Sequence, residues 1–146
     1  MARRRGRVEF ENDLGEVVQY LPHTNGGGLV SPKARVAEET MLESGAYVEA
    51  GAQIGPGSKI GRGSWIDSSA VVGRNVRIGS NVHIGAGSRV EDGARIEANV
   101  KLGENSTVHA RARVLEDVRL PGGSTIAPAS IIRNTPREAR TAGTAA

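Results

Sequence analysis

Chemistry has few places to reside in this chain, which has three histidines and no cysteine among its 146 residues. Without cysteine there is neither a thiol nucleophile nor a disulfide framework. Histidine remains as a general base, because its unperturbed pKa of about 6.5 lies near neutrality. The three are His23, His83 and His109. His109 stands two residues after Thr107 and eighteen after Glu91, a carboxylate suited to orient the ring and stabilise an imidazolium. His83 follows Trp65 by eighteen residues, and Trp65 follows Tyr47 by the same interval. A recurring interval of eighteen has meaning only if the backbone brings such residues together.

The elements that would do so are sixteen consecutive hexapeptides from Val36 to Ile131, with nothing inserted or deleted. Each opens on an aliphatic residue, as in Leu42, Ile60, Ile78, Val90, Leu102 and Ile126, and Ile132 begins a seventeenth. The fifth residue of each is small, such as Ala46, Ser64, Val82, Ser106 or Ala112. A strict six-residue period predicts a parallel β-helix. Of the 20 glycines, 13 fall at second or fourth positions of the units, and Asn75, Asn81, Asn99 and Asn105 also take fourth positions. Gly and Asn tolerate left-handed backbone, so these are the expected corners. One Phe, one Trp and two Tyr are too few for an ordinary globular core. A solenoid manages without them by stacking its aliphatic columns coil on coil.

Three hexapeptides make one coil, so residues eighteen apart stack about 4.8 Å apart. Side chains flanking each inward aliphatic point outward. One exterior column reads Gln53, Val71, Arg89, Thr107, Thr125, beside Gly73, Glu91 and His109. His109 and Glu91 therefore share a face. A second column, Lys59, Arg77, Arg95, Arg113, is a basic ridge: either solvated surface partly neutralised by Glu97, Glu91 and Asp92, or a site for phosphate, CoA or polysaccharide. The third reads Tyr47, Trp65, His83, Lys101, Arg119, beside Glu49, Asp67 and Gly85. Exposed aromatics in one column favour cover, so Tyr47, Trp65 and His83 are expected at a subunit interface. A platform for a sugar or nucleotide ring and a plain exposed ladder are the alternatives.

The net charge of +3 is carried by the ends, since residues 36–132 hold ten bases and eleven acids. Arg3, Arg4, Arg5 and Arg7 form a basic arm, read as a solvated terminus or as a contact for phosphate or an anionic surface. Nucleic acid is otherwise not expected as a partner. No stretch reaches the apolar length of a signal peptide or membrane span, and a cytoplasmic location is expected. Val8-Glu9-Phe10 and Val17-Val18-Gln19-Tyr20-Leu21 flank a turn containing Gly15 and read as a hairpin. Such a hairpin would cap the open end of the coil. Asn25-Gly26-Gly27-Gly28 then reads as a flexible joint; no Lys-Ser/Thr follows to make it a phosphate loop.

Units such as Ile54-Gly55-Pro56-Gly57-Ser58-Lys59 and Ile84-Gly85-Ala86-Gly87-Ser88-Arg89 closely resemble the consensus of the hexapeptide-repeat acyltransferase superfamily. The ending Thr135–Ala146 also resembles that family's closing segment, with Ala145 where proline is frequent. The resemblance covers about residues 30–146. It implies a left-handed coil, a homotrimer, and acyl transfer from acyl-CoA to a small hydroxyl or amine at a cleft between subunits. It also implies a histidine base and a closing segment near the acyl-CoA, which points to Ala142, Gly143 and Arg113 as cofactor-binding residues. His109 with Glu91 is the first candidate for that base, and His83 the runner-up. In several members the base lies two residues after the strand aliphatic or in an inserted loop; Ala86 and Ala110 stand at those positions here, with no loop.

Ser64-Trp65, Ala70-Val71-Val72 and Arg77-Ile78-Gly79-Ser80-Asn81 more weakly resemble the gamma-class carbonic anhydrase-like branch. That chemistry needs three histidines converging on zinc. His83 and His109 lie 26 residues apart and on different faces, and Arg89-Val90-Glu91 stands where a ligand would follow Gly87-Ser88, so no metal is expected.

The expected fold is all-β: a single-stranded left-handed parallel β-helix of about five coils. Its divisions are a basic arm at 1–7, a hairpin cap and joint at 8–35, the coil at 36–132 and a tail at 133–146. Two functions stand: an acyltransferase with no tightly bound cofactor, and a non-catalytic trimeric scaffold presenting the basic ridge to an anionic partner.

Overall fold

A computed structural model of the chain describes residues 8–11 and 17–134. The basic arm, the hairpin turn at 12–16 and the closing segment with Ala142 and Gly143 lie outside them. The coil is a stack of two-residue strands, each an outward residue followed by an inward aliphatic. Examples are β8 (Lys59–Ile60), β9 (Trp65–Ile66) and β10 (Val71–Val72), one for each of three faces. Their aliphatics form one continuous core, with Leu42, Ile60, Ile66, Ile84, Ile96 and Leu102 fully enclosed.

Every rung is parallel and in register, as in Trp65↔Tyr47 and His83↔Trp65. Each face carries six rungs, so the solenoid has six coils rather than five. The additional rung is β3 (Leu29–Val30), which pairs in parallel with β6 (Tyr47–Val48). Among the described residues the element order contains strands alone, in agreement with the left-handed β-helix implied by the resemblance.

The corners explain why so few residue types recur. Every fourth position from Gly45 to Ala129 has positive φ, occupied by Gly, by Asn or, at Ser69, Arg111, Asp117 and Ala129, by residues that adopt it at a cost. The fifth position turns inward, where only a small side chain fits. Ser58 Oγ donates to the Gly73 carbonyl at 2.8 Å and accepts from Val76 N at 3.0 Å. Ser64 and Ser88 repeat the arrangement, so these corner hydroxyls are enclosed but fully partnered. An enclosed hydroxyl without such partners would cost about 1–3 kcal/mol.

The N-terminal strands extend one face beyond the coil. β1 (Val8–Glu11) pairs antiparallel with β2 (Val17–Pro22), and β2 pairs antiparallel with β3. Tyr20 is buried where the cap meets the coil, with its ring edge-on to Tyr47 at 5.6 Å. The segment Asn25–Gly28 is a packed plug: Gly28 N donates to the Leu42 carbonyl and Leu42 N to that of Asn25, each at 2.9 Å. A Cβ at Gly28 would strike Leu42 Cγ, so glycine lets the backbone close over the first core residue. His23 is part of this closure, its Nε2 donating to the Thr40 carbonyl at 2.9 Å.

Candidate functional site

Glu91 and His109 each follow the inward residue of a strand, in β13 (Arg89–Val90) and β16 (Thr107–Val108). These strands pair in register, Val90↔Val108, which places the two side chains directly above one another. His109 Nδ1 lies 3.0 Å from Glu91 Oε1, and the same oxygen accepts from Ala110 N at 3.2 Å. A carboxylate only accepts, so the shared proton sits on Nδ1, and Nε2 is the nitrogen that carries the lone pair whenever the ring is neutral. Both side chains are about one-third exposed, His109 at 34% and Glu91 at 40%, which leaves the ring accessible. Beside them is a shallow depression lined by Val71, Gly73, Arg89, Glu91, Asp92 and Ala110. Asp92 closes its edge, with Oδ1 accepting from Arg74 N at 2.8 Å.

The aromatic face holds a second, more heavily supported histidine. His83 Nε2 lies 3.1 Å from Asp67 Oδ2, and Asp67 is itself oriented by Ser68 N at 2.7 Å. The indole of Trp65 stacks on the His83 ring at 4.3 Å and 12°. Trp65 Nε1 donates to Glu49 at 2.7 Å, and the other Glu49 oxygen takes the Tyr20 hydroxyl, also at 2.7 Å. Burial first, and then the hydrogen bond and charge of Glu49, push the Tyr20 pKa well above its ordinary value of 10.0. A chain of fixed groups thus runs from the cap through Glu49 and Trp65 to His83 and Asp67.

Sequence reasoning placed Glu49 and Asp67 beside this column but did not pair them. The signal is an interval of sixteen: Trp65–Glu49, His83–Asp67 and Arg113–Glu97 are all spaced so. A residue before the inward aliphatic of one coil reaches diagonally to the residue after it in the coil below. Glu97, expected to neutralise Arg95, instead meets Arg113 Nε at 3.3 Å. His83 and His109 stand on separate sheets. Among the described residues no cluster of His, Asp and Glu has metal-binding geometry, and no helix is long and apolar enough to cross a membrane.

The family model for the bacterial transferase hexapeptide (six repeats) matches residues 57–92. That stretch of nearly two coils, which holds Lys59 through Glu91, is thus similar to the bacterial transferase hexapeptide repeat. No curated protein sequence matches the chain. Among solved structures, a mutant perosamine N-acetyltransferase from Caulobacter crescentus, in complex with CoA and GDP-perosamine, superposes with a TM-score of 0.69. It is 24% identical, over 77% of this chain and 55% of that one. The acetyltransferase domain of PglB from Neisseria gonorrhoeae, in complex with acetyl coenzyme A, gives 0.65 at 22% identity, over 75% and 55%. The chain thus spans about half the length of these structures, and the likeness is one of fold.

Proposed function

We propose that the chain transfers an acyl group from acyl-CoA to a small hydroxyl or amine acceptor, at a cleft between the subunits of a homotrimer. The observation that carries this reading is the 3.0 Å contact of His109 Nδ1 with Glu91, which leaves Nε2 as the nitrogen available to an acceptor, next to a depression that Glu91 and Ala110 line. An acceptor seated there gives its proton to Nε2 as its oxygen or nitrogen attacks the thioester carbonyl. Glu91 stabilises the imidazolium so formed. Collapse of the tetrahedral intermediate breaks the carbon–sulfur bond, and the proton passes from the ring to the departing thiolate. The acyl donor is supported by the complexes of the two structural neighbours, which hold CoA and acetyl-CoA. Arg113, Ala142 and Gly143 are the residues assigned to it here. Arg113 is an exposed cation at the Glu97 end of the basic ridge.

Tyr47, Trp65 and His83 form the surface assigned to the subunit contact, and Trp65 is 41% exposed in the single chain. A second reading makes His83 the base, favoured by Asp67 and Trp65 holding its ring on an edge and a face. The test is thermal shift of the full chain with acetyl-CoA and with free CoA. A bound co-substrate raises the melting temperature by mass action, by the equivalent of about 2.7 kcal/mol at a hundred times its Kd. A rise with both, followed by acetyl release in the presence of amine or hydroxyl acceptors, supports the reading. No shift with either would sink it and leave the non-catalytic scaffold.

A further inference from the structure

The basic face carries three cations, Lys59, Arg77 and Arg95, that the proposed acyl transfer does not use. Lys59, Arg77, Arg95 and Arg113 occupy one position of four successive coils, each directly opposite the next. Like charges facing each other in a sheet repel. Among the described residues, Lys59, Arg77 and Arg95 have no acidic partner; Arg113 alone is paired, with Glu97. Glu43, at the other end, spends an oxygen on Arg62 N at 3.1 Å. Between these two acids the flanking column is Gly61 and Gly79. A Cβ on Gly61 would sit 2.5 Å from the Gly79 carbonyl, and one on Gly79 would sit 2.8 Å from Ala98 N. The glycines therefore make a flat backbone floor, and a groove runs over it beside the three unpaired cations.

We propose that this groove binds a linear anionic polysaccharide, one charged sugar to each coil. The cations repeat at the rung spacing of about 4.8 Å, a step comparable to the advance of one pyranose along a sugar chain. Arginine favours carboxylates, which its planar fork meets with two hydrogen bonds. The glycine floor admits a flat ring against the backbone. Single-stranded nucleic acid would require aromatic rings on which bases stack, and this face has none. Its exposed columns are Met41, Lys59, Arg77, Arg95, Arg113 and Ile131, with Glu43, Gly61, Gly79, Glu97 and Leu115 beside them. The groove is separate from His109 and Glu91, and its occupancy does not depend on the acyltransferase reading.

Calorimetric titration of the full chain with galacturonic acid, its trimer and its hexamer, at low and physiological salt, tests this. The expected result is affinity that rises at least tenfold from monomer to trimer, weakens with salt, and is absent for neutral dextran. Replacing both Arg77→Gln and Arg95→Gln should reduce trimer affinity at least tenfold, while the melting temperature does not fall, since the substitutions relieve repulsion, and the acetyl-CoA thermal shift stays unchanged. A second variant, Arg77→Lys, keeps the charge but not the fork and should give an intermediate loss. Equal affinity for monomer and trimer would overturn the proposal. So would tighter binding of single-stranded DNA or polyphosphate of the same charge, or unchanged binding by the double variant.

Discussion

His109 has Nδ1 engaged by Glu91 at 3.0 Å, and we propose that Nε2 is where this pair takes up a proton from the acceptor. A positioned base of this kind contributes about 10²–10⁴-fold to turnover. His109→Ala should lose activity on that scale in an acetyl-transfer assay while its melting curve is preserved. Glu91→Gln, which keeps an acceptor but no charge, should lose less. Full activity in His109→Ala would reject the assignment and move the role to His83. A different single residue reports on the corners. Ala129 adopts φ 58° with no side-chain group to compensate. Left-handed backbone costs an L-residue about 1–2 kcal/mol, whereas glycine gives back about 0.4–1 through the unfolded chain. Ala129→Gly should therefore stabilise the fold by about 0.5–1 kcal/mol, measured by denaturant unfolding. The His109–Glu91 contact was legible in the sequence because backbone register alone, eighteen residues per coil, brings the pair together. The His83–Asp67 contact was not, because its interval of sixteen depends on how far two side chains reach across the face.

One carboxylate links a side chain of the cap to a side chain of the coil. Glu49 accepts from Tyr20 of the hairpin and from Trp65 of the coil, each at 2.7 Å. Tyr20→Phe removes one donor to a charged acceptor, a bond worth about 1.5–3 kcal/mol. The loss should appear as faster amide exchange in β1 and β2, with exchange in the central rungs unchanged. The same bond sets a pH dependence. The folded state holds the Tyr20 phenol neutral and raises its pKa, so this contribution is fully present below the ordinary value near 10. It is lost as pH rises beyond that value, because the unfolded chain ionises first. Tyr20→Phe should lessen the alkaline loss of stability. At this scale the period of the coil is legible in the spacing of aliphatic and small residues alone, but its start is not. Val30 is in phase and Ala34 is suitably small, yet Lys33 stands where a corner glycine is expected and hides the first coil. The plug at Asn25–Gly28 reads in the sequence as a joint because glycine serves both mobility and close approach; the neighbouring Leu42 backbone decides for the latter here.

In the whole molecule, the aromatic face is the surface on which subunits are proposed to meet. Light scattering should give three times the monomer mass of 15.3 kDa, independent of concentration. Trp65→Glu places a charge beside Glu49 and Asp67, in a surface already rich in acid, and should dissociate the assembly without unfolding the coil. A trimer that survives this change would leave the aromatic face for a ligand.

The uniform hexapeptide also separates two kinds of information. The inward columns repeat every six residues, while each exterior column repeats every eighteen. Loss of six residues between Glu91 and His109 would leave every aliphatic buried and every corner in phase. It would nevertheless turn all later side chains onto the neighbouring face, like a combination lock advanced by one digit. Loss of eighteen would return each face to its own lineage, one storey shorter. In such a chain, length variation in single units reshuffles surface chemistry while sparing the core, and variation in whole turns changes height while sparing the chemistry.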